Sequence, residues 1–423
     1  MHIYFSGIGG TAIGPLALIA HQAGYTVSGS DKHGSSYIDY LKSRGIENIS
    51  LDQNETSISA VHKNHPIDWL VHSSAVSIEN PNHPELVFAK KNGIHTSKRD
   101  ELLNKIITDN NLKLIAIAGT HGKTTTTAMV IWLFLQLKIP VSYSVGAKIS
   151  FGEMGYFHPA SEYFIYECDE YDRNFLAFNP YVSIITGIAY DHHDIFPTEQ
   201  DYLSAFLDFI NQSSSVVLWA EDKEKLQLTD SDFLHQVQGV MPSIKLAGLV
   251  NRQNATLAIN GVSQIYKRPN NSLVDIINTF PGVSRRFEKL ADNIYTDYAH
   301  TPEKILGCLE MAHELSKKLV VVYEPLTNKR QYFIKEVYKD LFTGVDKLYW
   351  VPSYLTREDP NQHVLTPDEL MQYMGNKQIA TASELDDQLF GAIKKHQEKG
   401  DIVVCISGGG GGSLDEWIRK KLS

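Results

Sequence analysis

The sequence predicts an α/β protein built from three domains. Its 423 residues exceed the length of one typical domain. Short β-rich runs alternate with amphipathic stretches along the chain, which is the pattern of parallel sheets covered by helices. Two glycine-rich turns, at residues 7–12 and 119–125, each follow a strand and open a helix. Turns of this kind are where parallel α/β domains bind phosphates.

The composition indicates which kinds of partner and which cellular location to expect. The net charge is −10 and no Lys/Arg-rich run exists, so the sequence predicts no nucleic-acid partner. The longest apolar run, near 129–135, is far below the ~20 residues of a membrane span, and the N-terminus lacks a signal-peptide pattern. We therefore expect a cytoplasmic protein without membrane insertion. Cys168, Cys308 and Cys405 are expected to be buried, without disulfides.

Turn chemistry suggests where the domains begin and end. A polar stretch at 108–111 precedes a strand at 112–118, and Phe-Pro-Gly at 280–282 precedes another series of strands. The expected domains are 1–107, 108–283 and 284–423. Strands of the third are expected at 294–296, 319–323, 347–351 and 402–406.

The first glycine-rich turn predicts a diphosphate ligand. Gly7, Gly9 and Gly10 follow the strand at 2–6 and open a helix. Asp31 lies about the right distance further along the chain to bind a ribose hydroxyl. Glycines let the backbone approach a pyrophosphate at the helix N-terminus. Any nucleotide diphosphate suits this geometry, so NAD is not required. A tight strand-helix turn without a ligand is the alternative.

The second turn predicts an ATP-binding phosphate loop. It follows a strand and consists of Gly119, Thr120, His121, Gly122, Lys123, Thr124 and Thr125. In such a loop Lys123 reaches the β- and γ-phosphates, and the Thr124 hydroxyl lies on Mg²⁺. The usual first glycine would stand at position 117, where this chain has Ile.

Polar residues at the ends of neighbouring strands predict a magnesium site. Glu167 follows the strand at 163–166, and His192 follows the strand that begins at Val182. Carboxylates beside a phosphate loop can complete a site for Mg²⁺, which prefers oxygen ligands. A solvated acidic loop is the alternative.

Two weaker patterns occur further along the chain. Asn251 and Asn254 are three residues apart on an expected helix, so their amides share one face and could read an adenine edge. Arg286 and Asp297 flank the start of the third domain, where an arginine could reach the γ-phosphate. An ordinary surface ion pair would look the same.

The order of these motifs resembles the Mur ligase family over almost the whole chain. Its members carry a similar series, which in this sequence reads GTHGKTTTT, ECDEYD, DHHD, NRQNA, SRRFE and TDYAHTP. The resemblance implies a Rossmann-like N-terminal domain, a central P-loop ATPase domain and a Rossmann-like C-terminal ligase domain.

The resemblance also implies roles for individual residues. The UDP diphosphate would be held by the N-terminal glycines, with Asp31, Ser73 and Ser74 near the nucleoside or sugar. Lys123, Thr124, Glu167 and His192 would bind the ATP phosphates and two Mg²⁺ ions. The remaining contacts with ATP would come from Asn251 and Asn254 at the adenine, Arg286 at a phosphate and Asp297 at the ribose. Lys123, Glu167, His192 and Arg286 would be the catalytic residues.

The implied reaction is ATP-dependent ligation of L-alanine to the carboxyl of UDP-N-acetylmuramate through an acyl phosphate, in peptidoglycan biosynthesis. A recycled murein tripeptide is the alternative acceptor. Ala189 and Thr301 depart from the family pattern, which leaves a non-catalytic nucleotide-binding partner protein as an alternative of another class. An NAD-dependent oxidoreductase would explain the first turn but leave the phosphate loop without a role.

Overall fold

The computed structural model describes residues 1–73, 76, 80–192, 195–266, 270–356 and 358–423. The chain divides into two compact units. The first unit contains Met1–Ile244 and Gln253–Phe280, and the second contains Lys245–Arg252 and Pro281–Ser423. Among the described residues, no helix is both long and apolar enough to cross a bilayer.

The first sheet of the first unit is parallel, with the strand order β3-β2-β1-β4-β5. Its strands are β1 (His2–Ser6), β2 (Thr26–Ser30), β3 (Ile49–Ser50), β4 (Trp69–His72) and β5 (His95–Ser97). The helices are α1 (Ile13–Gln22), α2 (Ser36–Ser43), α3 (Glu55–Asn64), α4 (Pro84–Lys91) and α5 (Arg99–Asp109). Side chains of Ser35 and Asn54 cap α2 and α3 by accepting backbone N–H bonds.

The second sheet has the order β12-β11-β10-β6-β9-β7-β8, and in its described part β8 runs antiparallel to β7 while the other pairs are parallel. Its strands are β6 (Lys113–Ala118), β7 (Val141–Ser144), β8 (Gly155–Tyr156), β9 (Tyr163–Glu167), β10 (Val182–Ile185), β11 (Val216–Trp219) and β12 (Leu234–Val237). The helices are α6 (Lys123–Gln136), α7 (Glu199–Asn211), α8 (Ala220–Lys225), α9 (Leu249–Ile265) and α10 (Asn270–Ile277).

One hydrophobic core joins the two sheets of the first unit. Phe5 and Ile19 from the first sheet and its helix belong to the same buried cluster as Phe164 and Phe175 from the second. Burying a side chain of this size contributes roughly 1.5–3 kcal/mol. The shared core therefore fixes both glycine-rich turns within one body.

The second unit is a sheet with the order β13-β14-β18-β15-β16-β17. Its strands are β13 (Glu288–Ala291), β14 (Ile294–Asp297), β15 (Leu319–Glu324), β16 (Lys347–Trp350), β17 (Ala380–Ala382) and β18 (Ile402–Ser407), flanked by α11 (Pro302–Leu315), α12 (Asn328–Ile334), α13 (Tyr338–Leu341), α14 (Pro367–Met371), α15 (Asp387–Glu398) and α16 (Leu414–Leu422). Strand β13 is antiparallel to β14. Two buried clusters, around Trp350 and around Cys405, form its core.

The predicted fold class is confirmed, and the three cysteines are buried and free as expected. The expected domain boundaries stay a prediction. One grouping was not anticipated from the sequence: Lys245–Arg252, which ends in the first turn of α9, belongs with the second unit.

The contact between β8 and α1 generates a stability prediction. A Cβ atom added to Gly155 would lie 2.5 Å from the Pro15 carbonyl oxygen. This is a backbone atom, so relieving the clash would require the main chain to shift. We expect Gly155→Ala to lower the free energy of unfolding by about 1–3 kcal/mol, measured by urea unfolding. Gly239→Ala is the control, because nothing lies within 4 Å of its added Cβ. Equal midpoints for both variants would contradict the predicted contact.

Candidate functional site

The second glycine-rich turn joins β6 to α6 and depends on two glycines. Gly119 has φ +130° and Gly122 has φ +83°, backbone conformations that other residues rarely adopt. A Cβ at Gly119 would come within 2.4 Å of the Thr186 hydroxyl oxygen, and one at Gly122 within 2.4 Å of the Asn254 amide oxygen. The loop backbone is thus packed directly against β10 and α9.

Lys123 is held inside the loop by a buried carboxylate. Its Nζ atom donates to the Gly119 carbonyl and to Glu170 Oε2, each at 2.7 Å, and its side chain is only 14% exposed. Burial disfavours the ammonium charge, but the attraction of Glu170 outweighs it and raises the pKa of Lys123. The predicted phosphate-binding lysine is therefore charged.

Glu170 also contacts two other residues of the site. His192 Nε2 lies 3.5 Å from Glu170 Oε1, and the Tyr202 hydroxyl donates to the same oxygen at 3.4 Å. Burial alone would raise the pKa of Glu170, but His192 and Lys123 lower it, and the bond to Glu170 raises the pKa of His192. Glu170 is the fourth residue of the ECDE motif, but the motif alone gives no reason to prefer it to Glu167.

Two groups of oxygen-bearing residues stand beside the loop. The Thr124 hydroxyl donates to Glu167 Oε1 at 2.8 Å, and Glu167 Oε2 accepts from the Gly146 N–H at 3.0 Å. Asp169, Glu170 and His192 form a second group, with one ligand atom from each lying within 4.8 Å of the others. The sequence predicts that His192 and Glu167 belong to one magnesium site, whereas in the structure His192 lies with Asp169 and Glu170. The carboxylates of both groups are the oxygen ligands that Mg²⁺ prefers, whereas His192 offers a nitrogen.

The remaining loop residues connect to the segment after β10. The Thr120 hydroxyl donates to the Ala189 carbonyl at 2.8 Å and accepts from the Ala189 N–H at 2.9 Å. The His121 carbonyl accepts a bond from the Thr186 hydroxyl. Thr125 lies in the first turn of α6, partly exposed. The phosphate loop is consequently tied to β10 and its following segment by its backbone as well as its side chains.

The first glycine-rich turn is closed by Asp31. Gly7 has φ +83° and donates its N–H to the Ser30 carbonyl at 2.8 Å. Gly9 donates to Asp31 Oδ2 at 2.8 Å, and Gly10 donates to the Gly7 carbonyl at 3.1 Å. These bonds hold the turn in a fixed shape. The Asp31 carboxylate therefore lies directly beside the predicted diphosphate-binding backbone.

Of the two serines assigned to the sugar nucleotide, the structure describes one. Ser73 follows β4, and its hydroxyl oxygen would lie 3.1 Å from a Cβ added to Gly7, so it is next to the glycine-rich turn. Ser74 lies outside the described residues.

A cavity of about 250 Å³ in the first unit is lined by parts of both turns. Thr11 and Ala12 from the first turn and Lys123 from the second line its wall, together with Arg99 and Glu167. The two predicted phosphate-binding turns therefore open onto one space.

The second unit contains Arg286 and Asp297. The Arg286 guanidinium lies over the Tyr298 ring at 5.1 Å from its centroid. Asp297 is buried, and its two oxygens accept backbone bonds from Phe287 and Ala299, each at 2.7 Å. Burial raises the pKa of Asp297 to about 6. In this structure Asp297 anchors the loops of its own unit, and its contact with ribose stays a prediction.

Asn251 and Asn254 have different surroundings, although both lie on α9. The Asn251 amide donates to the Ala247 carbonyl at 2.9 Å and to Met311 Sδ at 3.4 Å, within the second unit. Asn254 is 4% exposed and lies against Gly122, within the first unit. Joint recognition of an adenine edge stays a prediction.

Comparison with known proteins identifies the family. The chain matches three models, described as "Mur ligase family, catalytic domain" at residues 2–110, "Mur ligase middle domain" at 117–241 and "Mur ligase, glutamate ligase domain" at 285–409. It is 30% identical to a UDP-N-acetylmuramate–L-alanine ligase of Clostridium acetobutylicum, with 99% of this chain and 97% of the relative covered. The chain belongs to the Mur ligase family. Mur ligases form amide bonds with ATP, so the predicted class of enzyme is confirmed.

Other Mur ligases agree with this assignment. A UDP-N-acetylmuramate–L-alanine ligase of Clostridium beijerinckii is 28% identical over 96% of this chain and 95% of its own length. Two solved structures share the fold. MurC, the UDP-N-acetylmuramate-alanine ligase of Thermotoga maritima, has a TM-score of 0.75 and 22% identity, with 100% of this chain and 98% of that chain covered. A murein peptide ligase of Psychrobacter arcticus has a TM-score of 0.64 and 21% identity, with the same shares covered.

The Lys123–Glu170 pair generates a prediction about the nucleotide-free protein. Glu170→Gln keeps the side chain's shape but leaves the Lys123 ammonium without its counter-charge. We expect a loss of about 1–3 kcal/mol in the free energy of unfolding, measured by urea unfolding without nucleotide.

The control is Glu162→Gln, which removes the partner of Lys113 in a surface pair at 2.7 Å. Glu162 is 59% exposed, so this variant is expected to lose less than about 1 kcal/mol. A Glu170→Gln protein as stable as the control would contradict the role given to the buried pair.

Proposed function

We propose that this Mur ligase joins L-alanine to the carboxyl of UDP-N-acetylmuramate, with ATP as the energy source, in peptidoglycan biosynthesis. Relatives that carry this name match the chain over nearly its full length. The structural observation that supports the proposal most directly is the cavity shared by the glycine-rich turn and Lys123. A reaction between a sugar nucleotide and ATP needs two phosphate sites that open onto one space.

The phosphate loop fits the ATP part of the proposal. Lys123 lies at the start of α6, where the helix dipole also favours an anion. The ATP phosphates would take the place of Glu170 as the partner of the ammonium. Thr124 and Glu167 would hold one Mg²⁺, and the group formed by Asp169, Glu170 and His192 a second. Bound Mg²⁺ supplies positive charge that offsets the phosphate oxygens.

The proposed chemistry has two steps. An oxygen of the substrate carboxylate forms a bond to the γ-phosphorus of ATP while the bond from that phosphorus to the β,γ-bridging oxygen breaks, giving an acyl phosphate and ADP. The amine nitrogen of L-alanine then bonds to the acyl carbon, inorganic phosphate leaves and the nitrogen loses its proton. Positioning and charge neutralisation are the protein's contributions.

Several assignments depend on this proposal. The UDP moiety is assigned to Gly7, Gly9, Gly10, Asp31, Ser73 and Ser74, and ATP to the phosphate loop with Asn251, Asn254, Arg286 and Asp297. A cytoplasmic location follows from the nature of these substrates and is part of the same proposal.

A murein tripeptide is the second candidate acceptor, because ECDEYD at 167–172, DHHDIF at 191–196 and Glu324-Pro325 resemble ligases of that kind. Asp194 lies outside the described residues. Glu324 is buried and accepts bonds from the Ser407 hydroxyl and, at 3.0 Å, the Leu414 N–H. That carboxylate is therefore engaged within the second unit.

The acceptor is tested by competition. Purified protein is incubated with ATP, Mg²⁺, UDP-N-acetylmuramate and equal concentrations of L-alanine and L-Ala-γ-D-Glu-diaminopimelate, and both products are measured by mass spectrometry. We expect the L-alanine product to predominate. Tripeptide consumption at least tenfold faster would assign the chain to the second candidate, and no phosphate release with either acceptor would favour a non-catalytic nucleotide-binding protein.

Removing the phosphate-loop lysine tests the ATP assignment. We expect Lys123→Ala to lower the rate of phosphate release about 10²- to 10³-fold, because a largely buried ammonium would offset phosphate charge. Lys138→Ala, just beyond the other end of α6, is the control and is expected to keep wild-type turnover. A folded Lys123→Ala protein with near wild-type turnover would refute the assignment.

A further inference from the structure

Arg99 is a cation in the shared cavity to which the sequence motifs assign no role. It is the first residue of α5, directly after β5, and its side chain is 28% exposed. It lines the same wall as Lys123, Glu167 and the first glycine-rich turn. A guanidinium in such a position is expected to have a partner for its donors.

Among the described residues, the two carboxylates paired with Arg99 are distant. Its Nε atom lies 3.5 Å from Asp100 Oδ1, and its Nη2 atom lies 3.8 Å from Asp169 Oδ2. An N–H···O bond of ordinary strength spans about 2.7–3.2 Å, so both are loose ion-pair contacts. Asp100 Oδ1 already accepts a bond from the Tyr166 hydroxyl at 2.9 Å. The paired donors of the guanidinium therefore remain available to a ligand.

Arg252 is an arginine of this chain whose guanidinium makes paired hydrogen bonds to a carboxylate. Its two terminal nitrogens bond to the two oxygens of Glu314 at 2.9 Å and 3.0 Å. This two-pronged arrangement is the one that a guanidinium favours with a planar carboxylate. Arg99 has the same donors, facing the cavity, without such a partner at that distance.

The position of Arg99 indicates which anion it would bind. Lys123 marks where the terminal phosphate of ATP would lie, and the first glycine-rich turn marks where the sugar-nucleotide diphosphate would lie. The group that must be phosphorylated is a carboxylate, and it must lie close to that phosphate. Glu167 and Asp169 line the same cavity and would repel this carboxylate, so a cation is needed beside it.

We propose that Arg99 binds the free carboxylate of the sugar-nucleotide substrate and orients it toward the phosphate held by Lys123. This inference rests on the proposed function and extends it by naming a substrate-binding residue. Arg99 acts by a paired set of hydrogen bonds, for which a lysine would be an incomplete replacement.

The test compares two ligands that share a nucleotide and a diphosphate. UDP-N-acetylmuramate carries the carboxylate, whereas UDP-N-acetylglucosamine lacks it. Binding of each is measured by calorimetric titration to wild-type protein, Arg99→Ala and Arg99→Lys. We expect Arg99→Ala to weaken UDP-N-acetylmuramate binding on the order of 10- to 100-fold and to change UDP-N-acetylglucosamine binding less than about threefold. Arg99→Lys is expected to recover only part of the loss.

Lys98→Ala is the matched control. Lys98 precedes Arg99 and pairs with Asp172 at 2.5 Å on the surface, so the variant removes one positive charge without changing the cavity wall. It is expected to bind both ligands as the wild type does. Thermal unfolding shows whether each variant is folded, and ADP binding by Arg99→Ala is expected to be unchanged.

Three results would overturn the proposal. Equal weakening of both sugar nucleotides would show that Arg99 binds the diphosphate. Weakening of ADP binding alone would place Arg99 at the ATP site. Wild-type protein that binds neither sugar nucleotide would refute the proposed function itself, and this inference with it.

Discussion

The ion pair between Lys123 and Glu170 is the interaction on which the candidate site depends. Lys123 is largely buried, and a buried ammonium is tolerated only beside an opposite charge. Glu170 provides that charge from the segment after β9, and the same carboxylate contacts His192 after β10 and Tyr202 on α7. One carboxylate thus brings together four parts of the first unit around the phosphate loop. It also stabilises the charged form of the lysine, whose pKa is raised by this pairing.

The loop's backbone imposes a second constraint, which explains its other neighbours. Gly119 and Gly122 must have positive φ for the chain to turn from β6 into α6. The space left by their missing side chains is filled by Thr186 and Asn254. The structural consequence is that Asn254 supports the loop from α9.

The sequence predicted local elements well and tertiary partners poorly. Strand β1 has the bounds expected for it, and β14, β15 and β18 each extend one residue beyond theirs, because hydrophobic patterning acts over a few residues. Glu170 and Arg99 were missed because their importance arises from residues far away in the chain, at Lys123 and in the cavity wall. Asp297 was read as a ligand-binding residue from its motif, and its burial and its bonds to Phe287 and Ala299 could be seen only in the folded unit.

The two departures from the family pattern affect different parts of the molecule. Ala189 meets Thr120 through backbone atoms only, so a missing carboxylate at this position leaves the phosphate loop tethered. Thr301 precedes α11 in the second unit, and its hydroxyl oxygen is buried without a hydrogen-bond partner among the described residues. A buried hydroxyl in that state costs free energy that a partner would recover. The departure at Ala189 therefore leaves the contacts of the phosphate loop in place, whereas the departure at Thr301 leaves an unpaired hydroxyl in the described part of the second unit.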